Sequence, residues 1–94
     1  MQIEHVVEHH RFLVRLPEGD AVLAYRLLPA GAMDIRSTWV PAPARGRGIG
    51  GALVEAALLW ARREGRPVIP SCWYVGVWVA EHPEYRDVLA AGAA

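Results

Sequence analysis

Hydrophobic and polar positions alternate with a period of two from His10 to Leu16, with Phe12, Val14 and Leu16 on one side and Leu13 and Arg15 on the other. That period predicts a strand. Pro17-Glu18-Gly19-Asp20 follows, joining the fixed φ of proline to the permissive φ of glycine, as a tight turn requires. From Asp20 to Leu28 the alternation resumes and predicts the hairpin partner, with Ala21, Leu23, Tyr25 and Leu27 set against Val22, Ala24, Arg26 and Leu28. A second turn at Pro29-Ala30-Gly31 leads into Met33 to Val40, where Met33, Ile35, Ser37 and Trp39 alternate with Asp34, Arg36, Thr38 and Val40. The three segments predict a meander, and Ile3 to Val7 adds a strand at its N-terminal edge on weaker alternation.

Pro41 and Pro43 end the third segment, because proline lacks the N–H that a ladder needs. The period then changes. From about Gly48 to Glu64 the residues are mostly Ala, Leu, Glu and Arg, with Ile49, Leu53, Ala56 or Ala57, and Trp60 at helical spacing. Gly65 stands where a C-terminal cap glycine belongs, after Arg62 and Arg63 in the last turn. Arg66 to Pro70 carries a short β run that can return parallel to the earlier strand after the helix. A short helix is predicted over Trp73 to Glu81, stopped by Pro83, and another over Glu84 to Ala90. The pattern as a whole predicts an α/β (α+β) domain with a mostly antiparallel sheet, a βαβ unit and short C-terminal helices.

Composition narrows the setting. Ninety-four residues are expected to form one domain spanning residues 1–94 around one core. Ten acidic residues balance ten basic ones, all of them Arg, so a general nucleic-acid footprint is not expected. Cys72 is the single cysteine and has no internal partner, and the N-terminus has no apolar run of signal-peptide length. A cytoplasmic protein is expected. Val68 to Ala80 is too short to span a bilayer, and His5, His9 and His10, read as strand-surface residues, form no metal-ligand spacing. No membrane partner and no metal are predicted.

The densest chemical signal is Ala44-Arg-Gly-Arg-Gly-Ile-Gly-Gly51 at the front of the main helix. A helix N-terminus offers unpaired N–H groups and the positive end of the helix dipole, so it takes anions. Each helical glycine costs about 1 kcal/mol relative to alanine, and Gly46, Gly48, Gly50 and Gly51 would let a phosphate reach the backbone. Arg45 and Arg47 can add charge-assisted contacts. The alternative is a flexible loop carrying a solvated Arg pair. The string lacks the Lys of a P-loop, and its third glycine comes too early for the dinucleotide fingerprint.

What it does contain is R-x-x-G-x-G, at Arg45, Gly48 and Gly50. Between a β segment and an amphipathic helix, this resembles the pyrophosphate-binding motif of the GNAT acetyltransferase superfamily. The order of elements, with Ala24-Tyr25-Arg26, Thr38-Trp39-Val40-Pro41, Pro70-Ser71-Cys72-Trp73-Tyr74-Val75 and His82-Pro83-Glu84-Tyr85, is similar to the small single-domain members over about Phe12 to Leu89. The resemblance implies a truncated GNAT-like fold that binds acetyl-CoA at Val40, Arg45, Gly46, Arg47, Gly48, Ile49, Gly50 and Gly51. It also implies acetyl transfer to an amine acceptor that the sequence does not name. Ser37 stands where the small family usually has His before Thr38.

Three residues are candidates for chemistry. By resemblance Cys72 lies near the coenzyme sulfur, as a transient acyl acceptor, or else as a small buried hydrophobe at a strand end. Tyr74, like Tyr85, would donate a proton to a leaving thiolate or pack with its hydroxyl at an edge. His82 would act as a general base or cap the preceding carbonyls. Trp39, Trp73 and Trp78 would border an acyl or acceptor pocket or pack in the core. Two other functions stay open: a non-catalytic acyl-CoA sensor, and a small interaction domain whose Arg pair docks acidic or nucleic-acid partners.

Overall fold

The computed structural model describes residues 1–92. Five strands form one sheet in chain order: β1 (Glu4–Val6), β2 (Arg11–Val14), β3 (Ala21–Leu27), β4 (Met33–Trp39) and β5 (Val68–Ile69). The first four pair antiparallel, and β5 pairs parallel to β4 at Met33↔Val68 and Asp34↔Ile69. Helix α1 (Ile49–Glu64) supplies the crossover between β4 and β5, and α2 (Trp73–Glu81) follows. The architecture is that of a truncated GNAT fold.

The alternation seen in the sequence is the reason the sheet has a core face. Phe12, Val14, Leu23, Tyr25, Met33 and Ile35 are buried against Leu53, Val54, Ala57, Leu58 and Ala61 of α1. Burying each large apolar side chain contributes about 1.5–3 kcal/mol relative to leaving it in water. Trp78, Val79, Tyr85 and Val88 close the same cluster. Tyr85 donates its hydroxyl to Glu55 at 2.7 Å, tying the last segment to α1, while Arg62 lies over its ring and pairs with Asp87.

Four expectations need correction. The strand expected from His10 to Leu16 begins only at Arg11, because His10 takes a left-handed φ of 54° after a 3-10 turn at Val7–His9. The helix expected over Glu84 to Ala90 is a 3-10 segment at Pro83–Val88. Leu89 has left it to bridge Val68, and the Ala90 N–H bonds the Val68 carbonyl. The third correction concerns faces: a bulge in β4 sets Tyr25 opposite Ile35 but Ala24 opposite Ser37, leaving Arg36 as an extra residue. One extra residue inverts the alternation beyond it. Thr38 therefore shares the core side with Leu23, and Ser37 and Trp39 turn outward, although the pattern had put them with Ile35.

Nor is His5 a surface histidine. Its ring stacks on Phe12 at 3.9 Å, meets Trp60 edge-on and bonds the Tyr25 hydroxyl at 2.6 Å. Burial holds its pKa below the usual 6.5, a lowering that nearby His10 reinforces and Glu8 opposes. The unfolded chain thus takes up this proton at a higher pH than the folded protein, so stability falls as pH drops below about 6.5. Thermal melts at about pH 7.5 and about pH 5 should show a loss of Tm on acidification that is smaller in His5→Gln.

Candidate functional site

A cleft of about 530 Å³ opens where β4 loses its parallel neighbour. The two residues of β5 cover β4 only as far as Asp34, so the edge beyond Ile35 is left without a strand on that side. Two contacts tie the chain after β5 to β4 at that point. Ser71 donates its hydroxyl to the buried Asp34 carboxylate at 2.5 Å, and the Cys72 N–H bonds the Ile35 carbonyl at 2.9 Å. Arg36 shares the same carboxylate at 3.4 Å. Cys72 is the N-cap residue of α2, and Tyr74 projects from the first turn of that helix.

The other wall is the glycine-arginine turn. Pro41 and Pro43 end β4 and lead through a 3-10 turn at Ala42–Ala44 to Gly46 and Gly48, with φ of 87° and 78°. These left-handed conformations are natural for glycine and strained for other residues. Gly48 is the N-cap of α1 and offers no side chain, and the first intrahelical bond runs from the Ala52 N–H to the Gly48 carbonyl. Among the described residues the amides from Gly46 to Gly51 make no backbone hydrogen bond. A run of unpaired donors at the positive end of a long helix has the geometry and charge that suit an anion.

Gly50 and Gly51 have a different physical reason. A Cβ on Gly51 would lie 2.9 Å from the indole Nε1 of Trp78, and one on Gly50 would lie 3.2 Å from the Tyr74 hydroxyl. These two glycines let α2 pack against the start of α1. At Gly46 and Gly48 a Cβ would meet no atom within 4 Å, so their requirement is conformational.

The arginines are partly engaged. Arg45 donates its Nε–H to the Val40 carbonyl at 2.9 Å and lies over the Trp39 ring at 4.9 Å, which leaves the rest of its guanidinium at the cleft. Arg47 pairs with Glu18 of the β2–β3 turn at 3.3 Å.

The fold brings most of the sequence-predicted residues together. Val40, Arg45, Gly46, Gly48, Ile49 and Gly50 line the cleft, as do Cys72 and Tyr74. The Cys72 thiol lies 3.7 Å from the Thr38 hydroxyl, and the Tyr74 hydroxyl makes no hydrogen bond among the described residues. Neither Arg47 nor Gly51 lines it. His82 stands apart at the C-terminal end of α2, where its ring stacks on Trp78 and its Nδ1–H donates to the Trp78 carbonyl at 2.8 Å. That is a capping role. Trp78 is likewise buried in packing rather than at the cleft, whereas Trp39 and Trp73 line it. Sequence reasoning missed Thr38, because the bulge that turns it inward leaves no compositional trace. It also missed Asp34, whose signal was a carboxylate inside an apolar strand.

No group of three or more His, Cys, Asp and Glu able to hold a metal occurs among the described residues, and none of their helices is long and apolar enough to cross a membrane.

Residues 11–88 match the family model described as GCN5-related N-acetyl-transferase. The chain is similar to Protein NATD1 of Gallus gallus, with 36% identity over 88% of this chain and 77% of that protein. Protein NATD1 of Homo sapiens is 35% identical over 88% of this chain and 75% of its own. For the Danio rerio protein of that name the values are 33%, 93% and 83%. With its sheet, its crossover helix and these relatives, the chain belongs to the GCN5-related N-acetyltransferase family.

Proposed function

We propose that this chain binds acetyl-CoA in the cleft and passes the acetyl group to an amine. The observation that carries the reading is the unpartnered amide run from Gly46 to Gly51, opening on the same cleft as the Cys72 thiol and the Tyr74 hydroxyl. The amides of Gly46, Arg47, Gly48, Ile49, Gly50 and Gly51 would hold the pyrophosphate, with Arg45 adding charge beside the Val40 carbonyl. Hydrogen bonds to a charged partner contribute about 1.5–3 kcal/mol each, enough for a short turn to anchor a large ligand. The uncovered edge of β4 suits the amide-containing arm of the coenzyme, because an exposed strand edge pairs with extended polar chains.

The bound thioester supplies an activated acetyl carbon. This chain would contribute position and a proton donor. Holding two reactants in line removes about 7–11 kcal/mol of barrier in favourable cases. Tyr74, whose hydroxyl makes no hydrogen bond among the described residues, would donate a proton to the departing thiolate, and Cys72 is the cleft's nucleophile candidate. We place the reaction in the cytoplasm, where a lone thiol such as Cys72 stays reduced.

A second reading, binding without transfer, draws on the absence of carboxylate and imidazole from the cleft lining. Incubating the protein with labelled acetyl-CoA and an amine panel separates the two. Acetylated amine with stoichiometric release of coenzyme A supports the enzyme. Saturable binding with no transfer overturns it and leaves the binding module.

The engaged Arg47 gives a further expectation. Surface ion pairs contribute about 0–1 kcal/mol, so releasing Arg47 by Glu18→Gln should tighten acetyl-CoA binding about two- to fivefold in low salt. Calorimetry at two ionic strengths checks this, with the gain shrinking at the higher one.

A further inference from the structure

We infer that the acceptor is an aromatic amine, already neutral at physiological pH and held against the indoles of Trp39 and Trp73; the inference rests on the acetyl-CoA reading above. The polar side chains lining the cleft are Thr38, Arg45, Cys72 and Tyr74, none of them a base of the carboxylate or imidazole kind. Four such groups on neighbouring elements are engaged, Glu55 by the Tyr85 hydroxyl. Asp34 accepts from Ser71 and Arg36, Glu18 pairs with Arg47, and His82 is bonded to the Trp78 carbonyl. Among the described residues no carboxylate or imidazole lines the cleft to take a proton from an ammonium group.

That matters because only the neutral amine has the lone pair that attacks a carbonyl carbon. An alkylamine of the lysine kind, with a pKa near 10.4, is neutral in roughly one molecule in 2,500 at pH 7. Among the described residues no carboxylate lines the cleft to draw its ammonium form in. An aromatic amine delocalises its lone pair into the ring and stays unprotonated at neutral pH. It needs neither a base nor an anionic subsite.

The apolar side of the cleft fits such a ring. Trp39 is 56% exposed and Trp73 is 76% exposed, and both line the cleft. Large indoles held in water at the mouth of a cleft are surfaces on which a flat ring gains contact, by stacking or edge-to-face packing. Arg45 covers part of Trp39. In the reaction the amine nitrogen forms a bond to the acetyl carbon as the carbon–sulfur bond breaks. The electron pair leaves on sulfur, and the proton lost by nitrogen ends on the thiol. Products are the N-aryl acetamide and free coenzyme A, with nothing oxidised or reduced.

The test uses two isomers, p-toluidine and benzylamine, with spermidine as a polycation, and reads coenzyme A release together with product mass. At pH 7, p-toluidine should have a kcat/KM at least about tenfold above benzylamine, after subtraction of the uncatalysed rate. Its profile should be flat between about pH 6.5 and 8.5, while that of benzylamine rises nearly tenfold per unit. Trp73→Ala, at an exposed position, should raise the KM for p-toluidine about tenfold with little change in kcat. Preference for benzylamine or spermidine at pH 7 overturns the inference, as does an unchanged KM in Trp73→Ala. Acetyl-CoA bound with no amine acetylated overturns it too, but leaves the binding reading standing. Failure to bind acetyl-CoA at all removes that reading and the inference with it.

Discussion

Acetyl-CoA affinity is expected to fall between about 30-fold and several hundredfold when Gly46 and Gly48 are both changed to alanine. Both residues have left-handed φ, 87° and 78°, and an added Cβ at either meets nothing within 4 Å. The penalty is therefore backbone strain, about 1–2 kcal/mol for each L-residue, not a clash. With open space beside both residues the turn can relieve the strain by shifting, and a shifted turn no longer converges its amides on one anion. Helix α1 stays anchored by Leu53, Val54, Ala57 and Leu58, which are fully buried, so Tm without ligand should change by only a few degrees. Isothermal calorimetry with acetyl-CoA checks the affinity. An unchanged Kd in the double variant would place the anion somewhere else.

Gly51→Ala should act on stability instead. The new methyl would sit 2.9 Å from the Trp78 indole Nε1, and that ring is clamped between His82 and Tyr85. Forcing extra volume into such a contact costs about 1–3 kcal/mol, against which alanine returns up to about 1 kcal/mol of helix propensity. A net loss of about 1–2 kcal/mol corresponds to a Tm lowered by roughly 4–15 °C for a domain of this size. Trp78→Phe, a smaller ring without Nε1, should recover part of that loss when combined with Gly51→Ala, giving a double-mutant coupling of at least about 0.5 kcal/mol. A Tm that is unchanged or raised in Gly51→Ala would mean the two helices approach less closely than described. Gly50→Ala is expected to be milder, because its nearest neighbour is the far end of the half-buried Tyr74 side chain.

These two variants divide a string that looks uniform. In the sequence Gly46, Gly48, Gly50 and Gly51 carry one message, clearance for a phosphate. The fold assigns the first pair to turn conformation and the second to the packing of α2 on α1. The sequence does not separate them, because the partner of Gly51 is Trp78, far along the chain and brought near only by the crossover. Elsewhere legibility followed the strength of a local signal. The hairpin of β2 and β3 and the span of α1 were readable because alternation, helical spacing and the cap at Gly65 agree with one another. The bulge at Arg36 was not, since an inserted residue alters neither composition nor hydropathy, and the facing of Ser37, Thr38 and Trp39 inverted with it. His5 was misread because a histidine in a short edge strand gives no sign of the Phe12, Tyr25 and Trp60 rings that enclose it. The cleft was half legible: its anion wall is written in one contiguous motif, and its aromatic wall joins Trp39 to Trp73 from separate elements.

The central claim is that the bare amides at the start of α1 hold the pyrophosphate of acetyl-CoA. The most direct measurement is an amide proton–nitrogen correlation spectrum recorded during titration with acetyl-CoA and, separately, with S-acetylpantetheine, which lacks the pyrophosphate. The amides of Gly46, Gly48, Gly50 and Gly51 should move saturably with acetyl-CoA and stay in place with S-acetylpantetheine, while Gly31, in the β3–β4 turn, and Gly65, at the other end of α1, stay in place with both. Acetyl-CoA that binds saturably while those four amides remain still would contradict the account.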